Sequence, residues 1–203
     1  EINYQKQINQ DFGFSVAYNF SVIKNKMTEL NGVDYIGLSS SELHGRNFDQ
    51  ETSRSAVGQP IGSFFVYEAD GLFQSDAEIQ NYKNDRGELL QPNAKPGDIR
   101  FKDLNGDGVI NSDDRDFKGN PLPDCSMGLT LGFNYKNFDV SAFFQGVFGN
   151  EVYNLTNYLG EFYNQAQYNK NSTILDAWRP DNTDTDIPRV TLDDPNNNIR
   201  PST

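Results

Sequence analysis

The sequence predicts an all-β chain: antiparallel strands of a large transmembrane β-barrel, present in part, with long extracellular loops and short helices. Three observations predict it. "DFGFSVAYNFSV" alternates apolar and small or polar residues with a period of two across a span long enough to cross a bilayer as a tilted strand. Hydrophobic residues make up only 35% of the chain while aromatics reach 13%, the mixture of an aromatic-girdled barrel with a polar lumen. No run of about 20 apolar residues occurs, so strands rather than helices would do the crossing.

Taken in order, Ile2, Tyr4 and Ile8 alternate with Asn3, Gln5 and Gln7, and "NQD" then reads as a short turn. Phe12, Phe14, Val16, Tyr18, Phe20 and Val22 form the apolar face of the next strand, opposite Gly13, Ser15, Ala17, Asn19 and Ser21. This first hairpin occupies 1–30. Residues 31–126 read as a long extracellular loop region dense in Gly, Pro, Asn and Asp. Within it, "PIGSFFVYEADGLFQ" predicts one short strand, and "SDAEIQNYKND" predicts a helix opened by Ser75 as N-cap. A second hairpin over 127–150 places Leu129, Leu131, Phe133 and Tyr135 on one face, turns at "KN", and continues with Phe138, Val140, Ala142 and Phe144. Residues 151–203 read as an extracellular loop segment with a helix around "STILDAW". Both ends read as cut within longer elements.

The net charge of −12 offers no basic cluster to neutralise phosphates, which argues against nucleic acid as a partner. With one Cys (Cys125) and one His (His44), neither an intrachain disulfide nor a Cys/His metal cluster is available. Cys125 reads as a small, partly buried residue and His44 as a loop residue. The many carboxylates lack a nucleophile, base and orienting group at useful spacing, so an enzyme is not expected. Tyr153, Tyr158, Phe162, Tyr163 and Tyr168 lie in an Asn- and Gln-rich stretch suited to stacking on sugar rings. The commoner fate of such residues is an interfacial girdle or packing beneath a loop, and none is singled out for substrate.

"KDLNGDGVINSDD" (102–114) carries the clearest site signal. Counted from Asp103, oxygen-bearing side chains fall at positions one, three and five: Asp103, Asn105 and Asp107. Gly108 allows the turn at six, Val109 offers its backbone carbonyl at seven, and Asp114 closes at twelve. Ile110, at eight, is expected to point away and pack on what lies beneath. An all-oxygen set suits Ca²⁺, with Mg²⁺ possible. No helix-forming run precedes the loop, because "QPNAKPGDIRF" carries two prolines and a glycine, so the setting differs from an EF-hand and is closer to a dockerin-type loop. An Asp/Asn/Gly-rich turn without an ion uses the same residues.

Several consecutive stretches carry a wider resemblance: "GQPIGSFFVYEADGLFQ" (58–74), "KPGDIRFKDLNGDGVINSDDRDFKGNPLP" (95–123), "GLTLGFNYKNFDVSAFFQGVFGNEVYN" (128–154), "AWRPDNTDTDIPR" (177–189) and, more weakly, "NFSVIKNKMTEL" (19–30). In order and spacing the chain resembles the C-terminal barrel portion of SusC/RagA-type TonB-dependent outer-membrane transporters. The resemblance implies a barrel of about 22 strands around an N-terminal plug in the Gram-negative outer membrane. It also implies a SusD-like surface lipoprotein as lid and TonB-driven import of oligosaccharides or peptides. Plug, TonB-contacting segment and most strands have no counterpart here, so TonB contact falls to regions absent from this chain. A cation bound at 103–114 would order an extracellular loop with little apolar surface to bury. The alternative is a soluble, secreted β-rich binding module with a dockerin-like calcium loop.

Overall fold

Strand β1 (Ile2–Gln7), β2 (Phe12–Val22), β9 (Cys125–Tyr135) and β10 (Phe138–Phe148) form one antiparallel sheet in the order β1-β2-β9-β10. These strands come from a computed structural model that describes residues 1–39, 51–154, 160, 169–198 and 202–203. His44, Tyr158, Phe162, Tyr163 and Tyr168 lie outside the described residues. The chain divides into two units, and each is described by itself: Glu1–Ile36, Ser55–Ser63 and Gly119–Val152 make the first; Gly37–Arg54, Phe64–Lys118 and Tyr153–Thr203 make the second.

In the first unit the strand order repeats the chain order, so the sheet is an up-and-down meander even though about a hundred residues separate β2 from β9. Register keeps the two faces distinct. Tyr18 faces Leu129, Val16 faces Leu131 and Phe14 faces Phe133; Leu129 in turn faces Phe144, and Phe133 faces Val140. Directly opposed residues share a face, so an apolar surface runs across β2, β9 and β10 and continues on β1 through Ile2 and Tyr4, with Lys6, opposite Phe14, as its charged member. It is exposed along β10, with Val140 at 61% and Phe144 at 57%, and half-buried at Phe14, Val16, Tyr18, Leu129 and Leu131. The opposite face carries Asn3, Gln5, Ser15, Asn19, Thr130, Ser126, Ser141 and Gln145, with Phe143 as its aromatic exception.

The ends of the sheet differ too. Both tight turns lie together: Lys136 N–H donates to the Asp11 carbonyl at 2.7 Å, and the Asn9 carboxamide oxygen accepts from Asp11 and Phe12 N–H. At the far end Val22 and Phe148 both flank Cys125, and from there the chain departs into its long connections. Short turns at one end and long connections at the other are the asymmetry of an outer-membrane barrel wall. β2, β9 and β10 span 11 residues each, enough for a tilted crossing. Four strands with two free edges do not close, so this is one arc of a larger barrel. Cys125 is partly buried, as its sequence context predicts.

The second unit holds what the sequence presents as a loop. β3 (Tyr35–Ser39), β4 (Glu51–Ala56), β5 (Ser63–Tyr67) and β8 (Arg115–Phe117) form a second sheet that lies mainly in this unit, and β6 (Ala69–Leu72) pairs with β7 (Ile99–Phe101). "PIGSFFVYEADGLFQ" thus yields two strands rather than the one expected. The chain changes partner at Glu68: β5 pairs with β8 and β6 with β7, the latter with a register shift between Ala69 and Leu72. α1 (Asp76–Asn81) begins where predicted, with the Ser75 hydroxyl accepting the Glu78 N–H at 3.3 Å. "STILDAW" gives only a 3-10 turn, Ser172–Asp176, in place of a helix. Its start has no side-chain cap, and the β-branched Thr173 and Ile174 favour helix weakly.

Tyr67, Leu72, Ile99, Phe101, Ile110 and Trp178 make the core of this unit, with Ala69 and Leu90 packed against it. The expectation of a segment with little apolar surface to bury is therefore corrected. The buried side chains are scattered across residues 67–178, so no local window betrays them. Trp178 Nε1 donates to Gln74 at 2.8 Å. Gly97 makes room for the indole: a Cβ there would stand 2.4 Å from Trp178 Cε3, and its φ of +89° is one that side chains disfavour.

Candidate functional site

The 103–114 loop joins β7 to β8, and its turn glycine, its inward Ile110 and the absence of a preceding helix agree with the sequence. A strand, not a helix, precedes it. Ile110 is buried in the core while Val109 is exposed. Gly108 takes a φ of +88°, and a Cβ there would press on Asn84 at 2.7 Å, so both conformation and space call for glycine. Asn84 braces this turn by donating to the Gly108 carbonyl at 3.2 Å while accepting from Arg86 and Glu88 N–H. Sequence reading missed Asn84, and only its proximity in space identifies it.

The oxygen side chains fold the loop onto itself. Asp103 accepts Gly106 N–H at 2.7 Å on one oxygen and Gly108 N–H at 2.8 Å on the other. Asn105 Oδ1 accepts Asp107 N–H at 2.9 Å, and Asp107 Oδ1 accepts Val109 N–H at 2.8 Å. Asp114 closes the loop: it is fully buried, accepting Leu104 N–H at 2.9 Å and Asn111 N–H at 2.7 Å. Burial pushes its carboxyl above the usual range; hydrogen bonds from the Asn111, Leu104 and Asn105 backbone oppose this, and the neighbouring Asp103 charge adds to it.

Asp103, Asn105, Asp107, Val109 and Asp114 thus share one loop. Among the described residues, though, no group of three or more His, Cys, Asp and Glu stands close enough together to hold a metal ion. The donor chemistry fits a hard cation nonetheless. Each side-chain oxygen that accepts one N–H retains a second lone pair, and all donors are oxygen.

Beside the loop, a buried polar cluster fixes the strand that leads into it. Asp98, fully buried, takes Arg189 Nε at 2.6 Å and Nη2 at 3.3 Å. It also accepts from Lys95 N–H and from Asn198 Nδ2. Gln91 receives Phe101 N–H and donates to the Ile99 carbonyl and Asn196; Asn198 accepts Ile99 N–H. Together they satisfy the backbone of β7, Gln91 from 8 and 10 positions away and Asn196 and Asn198 from 97 and 99. Tyr153 packs against Phe64 at 6.3 Å between ring centroids, and burial pushes its phenol up to about 12. That is the fate of an aromatic beneath a loop rather than of a free stacking platform.

An arc of up-and-down strands whose long connection carries its own core defines the class: a stretch of an outer-membrane barrel. No protein-family model matches the chain. Curated relatives do. It is 38% identical over 188 residues to TonB-dependent receptor P3 of Formosa agariphila, covering 93% of this chain and 18% of the relative. It is 36% identical over 180 residues to TonB-dependent receptor P26 of the same organism, covering 89% and 17%. TonB-dependent receptor SusC of Bacteroides thetaiotaomicron is 30% identical over 156 residues, covering 75% and 14%. The solved structure of the RagAB peptide transporter shares the fold with a TM-score of 0.64 at 20% identity, covering 95% of this chain and 20% of that one. The chain belongs to the SusC/RagA family of TonB-dependent transporters. It spans less than a fifth of the length of the curated relatives it matches.

Proposed function

We propose that this chain supplies part of the wall and one extracellular lobe of a TonB-dependent outer-membrane importer of glycans or peptides, the lobe being ordered by Ca²⁺ or Mg²⁺ at 103–114. The observation that carries the reading is identity of 36–38% along about nine-tenths of the chain to receptors of this class. It is supported by the exposed apolar face of the sheet, which suits contact with lipid rather than the second layer of a soluble sandwich. A SusD-like surface lipoprotein would meet the outer face, and TonB would act through regions that this chain does not contain. The relatives carry receptor and transporter names, which fits a non-catalytic role.

In the cation loop Asp103, Asn105, Asp107 and Asp114 would supply side-chain oxygens and Val109 its carbonyl. The ion would offset the charge of Asp114, which burial disfavours. It would also draw the carboxylates closer together than they stand here. Transport is tested by deleting the gene that carries this chain and measuring uptake of labelled oligosaccharides and peptides by intact cells; unchanged uptake of both classes rejects the importer. The ion is tested by terbium luminescence sensitised by the loop's surroundings. The parent is expected to give a saturable signal that Ca²⁺ displaces and that Asp103→Ala and Asp107→Ala abolish; equal signals from all three remove the ion.

A further inference from the structure

Leu-Asn-Gly occurs twice, as Leu30–Asn31–Gly32 and as Leu104–Asn105–Gly106. Asn-Gly is the sequence most open to intramolecular attack, because glycine leaves the following backbone nitrogen unhindered. The same tripeptide in two surroundings isolates what the fold does to that chemistry.

At the second copy every reacting atom is held. Gly106 N–H donates to Asp103 at 2.7 Å. The Asn105 side chain is fastened at both ends, Oδ1 accepting from Asp107 N–H at 2.9 Å and Nδ2 donating to Asp107 Oδ2 at 3.1 Å. A charge-assisted hydrogen bond must break before the Gly106 nitrogen is free, and the carboxamide must release both contacts before its carbon turns toward that nitrogen. At the first copy none of this holds. Leu30 and Val33 close a turn, Val33 N–H donating to the Leu30 carbonyl at 3.2 Å, and Asn31 and Gly32 project from it, exposed. Among the described residues no hydrogen bond engages the Asn31 side chain or the Gly32 N–H. A Cβ built on Gly32 meets nothing within 4 Å.

We infer that Asn31–Gly32 is a site of spontaneous covalent modification, while Asp103 and Asp107 protect the identical pair at Asn105–Gly106. The Gly32 nitrogen loses its proton to solvent base and attacks the Asn31 Cγ. An N–C bond forms, the C–NH2 bond breaks, and ammonia leaves with a proton from water. Water then opens the cyclic imide at either carbonyl, giving aspartate or isoaspartate at position 31. No oxidant, reductant or enzyme enters. The product adds one negative charge to a chain already at −12, and the isoaspartate form inserts a methylene into a tight turn.

The test incubates the polypeptide that carries this chain, folded in detergent, at mildly alkaline pH, and follows both peptides by mass spectrometry with fragment ions that separate isoaspartate from aspartate. A parallel sample is held in denaturant. The folded protein is expected to convert Asn31 at least about tenfold faster than Asn105, within the roughly hundredfold that misplacing reacting atoms by about 1 Å can cost, and denaturation should bring the two rates together. Asp103→Ala should raise the rate at Asn105 without changing that at Asn31. Equal rates in the folded protein overturn the inference. So does the same bias in denaturant, which would assign the difference to Val33 against Asp107 rather than to the fold.

Discussion

The four-stranded sheet turns its large apolar side chains outward, while the unit around β5, β6 and β7 turns them inward. Phe144, Val140 and Phe133 are exposed on the sheet; Phe101 and Phe73 are fully buried in the other unit. Polar groups invert in the same way. Thr130, Ser141 and Gln145 simply line one sheet face, whereas Asp98, Asp114, Gln91, Asn196 and Asn198 are buried. On the proposed importer reading, one chain is written for two solvents, lipid at the sheet and water at the other unit. On the sheet, alternation marks the strands, because the inner strands β2 and β9 satisfy their backbone groups on neighbours at both sides. Where water is outside and strands are short, side chains must satisfy the backbone and a small core must exclude water.

The largest predicted effect strikes the inverted unit. Arg189→Ala strips the buried Asp98 carboxylate of its cation, and removing one partner of a buried pair costs about 3–5 kcal/mol. Trp178, the only Trp of the chain, sits in the same unit's core, so its fluorescence against denaturant reports this loss. A shift of the midpoint worth under about 1 kcal/mol, the range of an exposed pair, would show that solvent reaches Asp98 and would weaken the contrast between the units.

Next comes a paired substitution in the sheet. Leu131 lies mid-strand on the apolar face and Thr130 beside it on the polar face. Leu131→Arg is expected to cost about 2–4 kcal/mol on folding into phospholipid vesicles, as a charge facing lipid near the midplane does. Thr130→Arg should cost far less. Folded fraction read by gel mobility without heating distinguishes them; equal penalties would mean that the two faces do not meet different solvents.

That contrast also explains what could be read from sequence. β1, β2, β9 and β10 were legible because period two is a local signal that needs no knowledge of partners. The Ser75 cap, the inward Ile110 and the Gly108 turn are local as well. Pairing of β2 with β9 is not, since the intervening residues outnumber those of the sheet itself. Asn196 and Asn198 sit in "DDPNNNIR", which reads as a polar turn; their partners lie 97 to 105 residues away. The cation loop shows its spacing in sequence, but the way Asp103 and Asp114 spend their oxygens on backbone N–H groups emerges only from the folded loop.

The smallest effect sharpens the comparison within the water-facing unit, by setting a surface ion pair against the buried one. Glu68 accepts from Lys102 on one oxygen and from Lys118 at 2.6 Å on the other. The two lysine hydrogen bonds, Lys102 first, lower its carboxyl from 4.5 to about 2. A depressed carboxylate contributes stability in full above its unfolded value, so the contribution is complete above about pH 4.5. It declines as pH falls from there and is gone below about pH 2. Glu68→Gln is therefore expected to change neutral stability only slightly, the pair being partly solvated, and to flatten the acid limb of the Trp178 unfolding midpoint between those two pH values. Parallel acid limbs for the parent and Glu68→Gln would mean that the lysines leave Glu68 at its ordinary value.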